Sequence, residues 1–557
     1  MVPLATVGGG KIKKGDIMTD WNFGLIFRAN AKKAPNRPAQ IHSGVTQTWG
    51  TLHQRANALA TDLLESGLGH QSKVSCYLYN SPEYLETMFA AFLAGCAPIN
   101  TNYRYGAEEI VYLFDNADAE AVVFHGVFAE LIDGIRARLP KVKRWYMVSD
   151  SVTTVPAWAI KYEDVASRVV PDLEPEVPLS GDDLLLLYTG GTTGMPKGVM
   201  WRQNDLYNVL GSGGNAPAGI APVDNIEELL ERLDPQIAGL RTLVACPLMH
   251  GTGQFMALNT LAGGGCLVTL SNRSFDVPAL WQTVQDSAAN IVVIVGQAFA
   301  GPMLEELDAH PEKYDLSSVV MIASSGVMWQ HENKQGLLVH MPTTILFDSL
   351  GSSEAVGLGG SMSVKGAAQK TAQFVLGPNC AVFTEDGDRV QPGSGKSGVV
   401  AVGGAIPLGY YKDEVKTTQT FRIFEGRRWS VPGDWAEVNA DGSVHLLGRG
   451  SVCINTGGEK VFPEEVEEAM KTHPAVRDAV AVGLADKRFG ETICGVVEFE
   501  TQQSVSFDEL NAHVKKSLAA YKAPRNMVVV STIGRAANGK VDYKRLRELA
   551  ESSIGAP

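Results

Sequence analysis

"YTGGTTGMPKG", Tyr188 to Gly198, is the stretch on which the reading of this chain turns. The apolar run Leu184 to Leu187 precedes it and suits a buried strand, which puts four glycines, three threonines and Lys197 in a loop at the strand's end. Glycines let a backbone approach a phosphate closely and aim successive N–H groups at it; threonine hydroxyls and one ammonium complete an anion cradle. The triphosphatase P-loop needs Gly directly before its lysine and Ser or Thr after it. Here Pro196 precedes Lys197 and Gly198 follows, so that pattern fails. The G-x-G-x-x-G spacing of dinucleotide binders is also missing. A flexible Gly/Thr linker is the bland alternative, and the position directly after a strand speaks against it.

Composition narrows the partners. A formal charge of −13 over 557 residues excludes the basic field of a nucleic-acid binder, so phosphates must be met by local lysines and backbone amides. The 557 residues are enough for several lobes and a large core. Seven scattered cysteines without a CxxC pair read as reduced core thiols in a cytoplasmic protein. No apolar run is long enough for a membrane span, and no HExxH marks a zinc site. Residues 1–19 lack an apolar signal core and read as a loose extension.

The expected fold is α/β. Helix-like stretches such as Trp49 to Ser66 and Glu83 to Ala94 alternate with apolar runs such as Val74 to Leu78 and Ala121 to Phe124, which signals layering. A second layered region from Leu184 to about Leu350 holds candidate strands at Thr242 to Cys246, Cys266 to Leu270, Ile291 to Val295 and Val319 to Ile322. An irregular stretch from Gly211 to Pro235, with a short acidic helix at Ile226 to Leu233, interrupts it. Turn signals from about residue 375 predict a small β-rich subdomain reaching 447. The run Pro463-Glu464-Glu465-Val466 predicts a helix opening a compact C-terminal α/β unit. The expected division is 20–447 and 448–557, with a hinge at 449–451.

The loop has companions, in order: "PLMHGTGQ" (Pro247 to Gln254), "DSLGSSEA" (Asp348 to Ala355), "PLGYYKDE" (Pro407 to Glu414), "VPGDW" (Val431 to Trp435), "LGRGSVCINTGGEKVFPEEVE" (Leu447 to Glu467) and "GRAANGKVDY" (Gly534 to Tyr543). Together they resemble the adenylate-forming superfamily of acyl-CoA synthetases, luciferases and peptide-synthetase adenylation domains, from about Asp20 to Leu549. The wording is most similar to bacterial acyl-CoA synthetases of the FadD type that act on bulky acids such as sterol side-chain carboxylates. The resemblance implies a large N-terminal domain of two layered subdomains plus the β-rich one, and a small mobile C-terminal domain. It also implies a reaction: a carboxylate attacks the α-phosphate of ATP, pyrophosphate leaves, and a thiol intercepts the acyl-adenylate.

By that resemblance Thr189, Gly190, Gly191, Thr192, Thr193 and Lys197 hold the β- and γ-phosphates, and Glu354 contacts Mg²⁺. Ser353 serves the α-phosphate region, with Ser325, Gly326, Gly351 and Ser352 beside the nucleotide. Asp348 takes the adenine amino group; Asp434 and Arg449 take the ribose, and Lys460 joins the nucleotide set. Lys540 bridges the substrate carboxylate and the α-phosphate, which removes the largest barrier between two anions. His250, Gly251, Thr252, Gly296, Ser324 and Gly351 line the acyl pocket, which lies among His250 to Gln254, Gly296 to Phe299, Ser324 to Val327 and Gly351, and Gly457, Gly458 and Glu459 line the coenzyme A tunnel. For His250 a satisfied core histidine is the plain alternative, for Asp434 a turn residue, and for Glu459 and Lys460 a solvated turn.

Three positions depart from the family pattern: Leu350 where an aromatic stacks on adenine, Ser451 where the hinge carries Asp or Lys, and Asn455 where many relatives have lysine. The pocket segments contain no acidic residue to pair with an amino acid's ammonium, which points to a hydrophobic acid, and glycines at 211, 213, 214, 263–265 and 296 suggest room for a wide one. No carrier domain follows, so coenzyme A is the expected acceptor. An aryl-acid ligase, an acyl-AMP ligase loading a carrier protein and a non-catalytic nucleotide binder remain as alternatives. The sequence leaves a homodimer open.

Overall fold

The computed structural model describes residues 20–150, 153–189, 195–214, 220–233, 239–452, 454–456, 459–486, 490–518, 520–536 and 539–554; for 449, 451, 455, 459, 460 and 490 it describes the backbone alone. Among these residues lie three sheets. The first runs, edge to edge, Gly409–Tyr410, Lys197–Arg202, Leu184–Thr189, Ala97–Asn100, Lys73–Tyr77, Ala119–His125, Arg144–Val148 and Ile160–Lys161. Its central strands are parallel and covered by helices, and they read as unbroken apolar runs: Val122, Val123 and Phe124 are all fully buried. Helix Trp49–Glu65 starts where the Thr48 hydroxyl accepts from the Thr51 amide, and helix Pro82–Leu93 where proline's fixed φ suits the first turn.

In the second sheet Arg241–Val244, Cys266–Thr269, Ile291–Ile294, Met321–Ser325 and Ile345–Ser352 are parallel. The direction then reverses. Ser352 pairs with Ala355, so Ser353 and Glu354 form the tip of a hairpin into Ala355–Ser363. Hydrogen bonding continues without a break through Gln373–Leu376, Val444–Arg449, Asp434–Val438 and Ser397–Gly403. The β-rich segment is therefore an extension of the second sheet, and antiparallel pairing begins near residue 355, before the turn-rich texture appears.

The third sheet comprises Ile454–Thr456, Glu459–Val461, Val476–Asp486, Gly490–Phe499 and Asn526–Val530. Helices Pro463–Lys471, Phe507–Val514 and Tyr543–Ile554 accompany it over apolar cores of its own, around Val466, Met470 and Val497 on one side and Val480, Val496 and Leu546 on the other. The expected strands and helices in the sequence appear within a few residues of their ends. The helix at Ile226 stops earlier than expected, at Glu231.

The expectation that several glycines widen the acyl pocket is corrected. A methyl on Gly213 would stand 2.9 Å from the Tyr207 hydroxyl, on Gly214 2.7 Å from the Pro222 nitrogen, and on Gly265 2.8 Å from Leu240 O. Gly211 meets Gly214 O at 2.9 Å, and Gly264 meets the Leu233 side chain. These glycines permit close packing of neighbouring chain, so the space a side chain would occupy is already filled. Among the described residues the six cysteines are free thiols, five buried and Cys380 half-buried. No helix among them is long and apolar enough to cross a membrane.

Candidate active site

The phosphate-loop strand ends at Thr189, directly opposite Lys197 on the returning antiparallel strand, so the two residues flank the loop mouth. Residues 190–194, which include Gly190, Gly191, Thr192 and Thr193, lie outside the described residues. Gly198 is required by its partner: a methyl there would stand 2.6 Å from the ring of Tyr188 across the pair. The Lys197 ammonium forms an ion pair with Asp413, whose other oxygen accepts from the Lys416 amide at 2.9 Å and caps helix Glu414–Thr420. Hydrogen bonding to Lys197, more than its exposure to that charge, holds the Asp413 carboxyl below the usual range.

Asn100 joins this strand to the next landmark. Its side-chain oxygen accepts from the Tyr188 amide at 2.6 Å, and its amide donates to Tyr188 O at 2.8 Å and to Met249 O at 2.6 Å. His250 then occupies the position before helix Gly251–Ala262, without a capping hydrogen bond from its side chain. A methyl on Gly251 would lie 3.3 Å from the Leu187 side chain and 3.4 Å from Ser353 Oγ, so the phosphate strand, the histidine turn and the hairpin tip meet at one point.

At that tip each end of Glu354 is held. Tyr410 donates to Glu354 Oε1 at 2.7 Å, and Ser430 Oγ donates to its backbone carbonyl at 2.6 Å. The indole of Trp201 donates to Ser353 O at 2.9 Å. One carboxylate on a rigid tip, beside a phosphate loop, suits Mg²⁺, which takes one or two protein carboxylates and fills its octahedron with phosphate oxygens and water. Among the described residues no group of three His, Cys, Asp or Glu forms a self-sufficient cage.

The strand Ile345–Ser352 alternates, and Leu346, Asp348 and Leu350 share its buried face. Asp348 is thereby turned onto Lys334, whose ammonium donates to Asp348 Oδ2 at 3.1 Å with both side chains buried. Burial raises the Asp348 pKa; the Lys334 charge opposes it. Ser324 Oγ accepts from the Gly296 amide at 2.8 Å. Gly296 has φ +53°, and a methyl there would collide with Met328 O at 2.7 Å, so the chain passes where only glycine fits. Thr252 Oγ1 stands 3.7 Å from the place a methyl would take on Gly326, bringing these acyl-pocket candidates together.

Asp434 and Arg449 face each other in register at the ends of their strands, and Gly450 N donates to Gly433 O at 3.0 Å. The backbone there leaves the second sheet for the third. Gly457 and Gly458 lie outside the described residues; Glu459 opposes Thr456, and Lys460 opposes Asn455, across that gap. From the far lobe, the turn bearing Lys540 comes back to the site: a methyl on Gly539 would touch Ala298 Cβ and Val327 Cγ2, both at 3.1 Å. Burial pulls the His250 pKa down to about 4, and the charges of Lys540 and Arg104 add to that effect.

Asn100, Trp201, Lys334, Tyr410 and Asp413 were not singled out from the sequence. Tyr410 and Asp413 lie inside a quoted motif, but their partners are 56 and 216 residues away and no local pattern announces them.

Two sheets bring the strand that ends at Thr189 and the Ser353–Glu354 tip together, and the turn bearing Lys540 packs against Ala298 and Val327 from the C-terminal lobe. Residues 27–411 match the AMP-binding enzyme family and residues 465–540 the AMP-binding enzyme C-terminal domain, and the chain belongs to that family. It is 40% identical over 522 residues to a 3-oxocholest-4-en-26-oate–CoA ligase of Rhodococcus rhodochrous, covering 92% of each chain. It is 38% identical to a medium/long-chain-fatty-acid–CoA/3-oxocholest-4-en-26-oate–CoA ligase of Mycolicibacterium smegmatis, covering 93% of this chain and 94% of that one. Its fold is that of the anthranilate CoA ligase AuaEII in complex with anthranoyl-AMP, with a TM-score of 0.80 at 20% identity over 98% of this chain and all of that one. As in those enzymes, a large N-terminal domain carries a small C-terminal one.

Proposed function

We propose that this enzyme is an AMP-forming acyl-CoA synthetase acting on a hydrophobic carboxylic acid: a steroid side-chain acid or a medium- to long-chain fatty acid. The observation that carries the reading is the meeting, around Gly251, of the strand leading into the phosphate loop, the Ser353–Glu354 tip and the His250 turn, with the Lys540 turn packed against Ala298 and Val327. The relatives' activities on such acids, and pocket candidates without an acidic residue to pair with an amino acid's ammonium, support the substrate class. The domain division we adopt is 20–447 and 448–557, pivoting at 449–451.

In the first half-reaction a carboxylate oxygen of the acid attacks the α-phosphorus of ATP and the bond to the bridging oxygen breaks, releasing pyrophosphate. Thr189, residues 190–193 and Lys197 receive the charge that accumulates on pyrophosphate. Lys540 lies between the two approaching anions, where an ammonium in a partly dehydrated site is worth most. Asp434 and Arg449 hold the ribose, a carboxylate's two acceptors suiting a vicinal diol. Ser325, Gly326, Gly351 and Ser352 line the nucleotide, with Asp348 and Lys460 completing the set. Glu354 would hold Mg²⁺, which would supply electrostatic neutralisation of the phosphates. In the second half-reaction the coenzyme A sulfur, having lost its proton, attacks the acyl carbon and AMP leaves; Gly457, Gly458 and Glu459 line its approach. His250, Gly251, Thr252, Gly296, Ser324 and Gly351 enclose the acyl group.

The test is pyrophosphate release over a panel of steroid, fatty and aryl acids, with and without coenzyme A, in wild type and Lys540→Ala. Release that depends on hydrophobic acids and continues to a CoA thioester supports the reading. Activity on aryl acids alone, or transfer only to a carrier protein, would replace it.

A further inference from the structure

Building on the assignment of Lys540 to adenylation, we propose that Arg535, held by Asp478, is the positioning residue that sets the Lys540 turn for that half-reaction. The Arg535 guanidinium spans two pieces of chain. Its Nε and Nη2 donate to the two oxygens of Asp478 at 2.6 and 2.8 Å, and its Nη1 donates to Gly539 O at 3.2 Å. Asp478 belongs to strand Val476–Asp486 of the third sheet, so the guanidinium ties the residue before Lys540 to the rigid part of its domain.

The turn itself is closed locally. Ala536 N donates to Lys540 O at 2.9 Å and Gly539 N to Ala536 O at 2.8 Å. On its outer side Gly539, at φ +72°, rests against Ala298 and Val327, next to Gly296 and Gly326 of the acyl pocket. The backbone at Lys540 is thus fixed from two directions, by Arg535 from within its own lobe and by the pocket wall from the other. A third group strengthens the inner hold: Glu467, buried, accepts from the Ala481 amide at 3.1 Å and the Tyr543 hydroxyl at 2.9 Å, and its charge acts on Arg535.

Only a planar fork can satisfy a carboxylate at both oxygens and still reach a carbonyl; an ammonium at the same place makes a point contact. The apolar cores of this lobe close without Arg535, around Val466, Met470, Val480 and Leu546. The guanidinium's structural consequence is therefore local to the turn, and a misplacement of about 1 Å at a catalytic group can cost on the order of 10²-fold in rate.

The experiment measures both half-reactions separately: pyrophosphate release from ATP and acid without coenzyme A, and thioester formation from pre-formed acyl-adenylate with coenzyme A. It compares wild type, Arg535→Lys, Arg535→Met, Asp478→Asn, Asp478→Glu and Lys540→Ala, with a thermal melt of each. We expect Arg535→Lys and Arg535→Met to lose adenylation by roughly 10- to 100-fold while thioester formation stays near wild type. Asp478→Asn should follow in weaker form, and Asp478→Glu should recover most of the loss. Equal loss of both half-reactions, failure of all the Arg535 and Asp478 variants to fold, or adenylation unchanged in folded Arg535 variants would overturn the proposal. If Lys540→Ala separates the half-reactions and the Arg535 variants do not, the positioning role alone falls; if Lys540→Ala spares adenylation, the reading of Lys540 falls and takes this proposal with it.

Discussion

Tyr410 and Glu354 meet across the two sheets of the large domain: the phenol, on the edge strand Gly409–Tyr410 of the first sheet, donates to Glu354 Oε1 at 2.7 Å on the hairpin tip of the second. The carboxylate assigned to Mg²⁺ is thereby oriented by an element outside its own hairpin. A hydrogen bond to a charged acceptor contributes about 1.5–3 kcal/mol, more than enough to select one rotamer of a half-buried glutamate.

Tyr410→Phe removes the hydroxyl and keeps the ring's packing. The Mg²⁺ concentration needed for half-maximal pyrophosphate release should rise, with kcat lowered about tenfold and the melting temperature shifted by only a few degrees. A Mg²⁺ titration of both proteins decides it; an unchanged midpoint would mean that Tyr410 serves the fold alone.

The Lys197–Asp413 ion pair leads to a second expectation. Both side chains are about one-third exposed, at 35% and 29%, so the pair contributes only about 0.2–1 kcal/mol. ATP phosphates must draw the same ammonium away from Asp413. Asp413→Asn retains a side-chain oxygen able to cap helix Glu414–Thr420 but removes the competing charge. The KM for ATP should fall by a few-fold, whereas Lys197→Met should raise it well beyond that. A higher KM for ATP in Asp413→Asn would show that the aspartate orients the lysine instead of competing for it.

What was legible in the sequence was chemistry that needs particular residue types close together. Glycine and threonine at 189–198, the paired serines before Glu354, and the Gly-Lys of residues 539–540 each announce a backbone or charge requirement within a few positions. Layering was legible too, because buried parallel strands such as Ile291–Ile294 are unbroken apolar runs. What escaped were contacts closed by the fold. Asn100 bridges Tyr188 and Met249 over 88 and 149 residues, and Lys334 finds Asp348 only because strand alternation turns that aspartate inward. The spacious-pocket reading of the glycines failed for a related reason: a sequence shows that a side chain is missing, and only packing shows what takes its place. Gly213 is filled by Tyr207 and Leu229, and Gly265 by Leu240 and Thr260.

His250 gives a pH expectation with a defined sign. Its folded pKa is lowered from 6.5 to about 4, by burial first and then by the charges of Lys540 and Arg104. The unfolded chain therefore binds more protons between those values. The stability that neutral His250 contributes is complete above about pH 6.5 and is lost as pH falls toward 4, a change of roughly 1–3 kcal/mol. His250→Gln should flatten that part of the profile when melts are compared at pH 7.5 and 4.5. Parallel profiles for the two proteins would place the acid-sensitive group elsewhere.

The Lys334–Asp348 pair makes the sharpest stability prediction. Both side chains are almost fully buried, the ammonium also lies 5.6 Å from the centre of the Trp329 ring, and burial already pushes the Asp348 carboxyl upward against the lysine's charge. Lys334→Met leaves that carboxylate without its counter-charge and should cost about 3–5 kcal/mol, relieved as pH falls and Asp348 takes up a proton. Lys334→Met combined with Asp348→Asn removes both charges together and should recover much of the loss, because a matched pair of buried charges contributes far less than the penalty for stranding one. Denaturant unfolding of the wild type, both single variants and the double variant gives the coupling directly. A double variant as unstable as the sum of the singles would show that the two residues act independently. If the double variant is stable but no longer binds AMP, Asp348 has a nucleotide contact in addition to its lysine, and the buried pair then fixes the position of that contact.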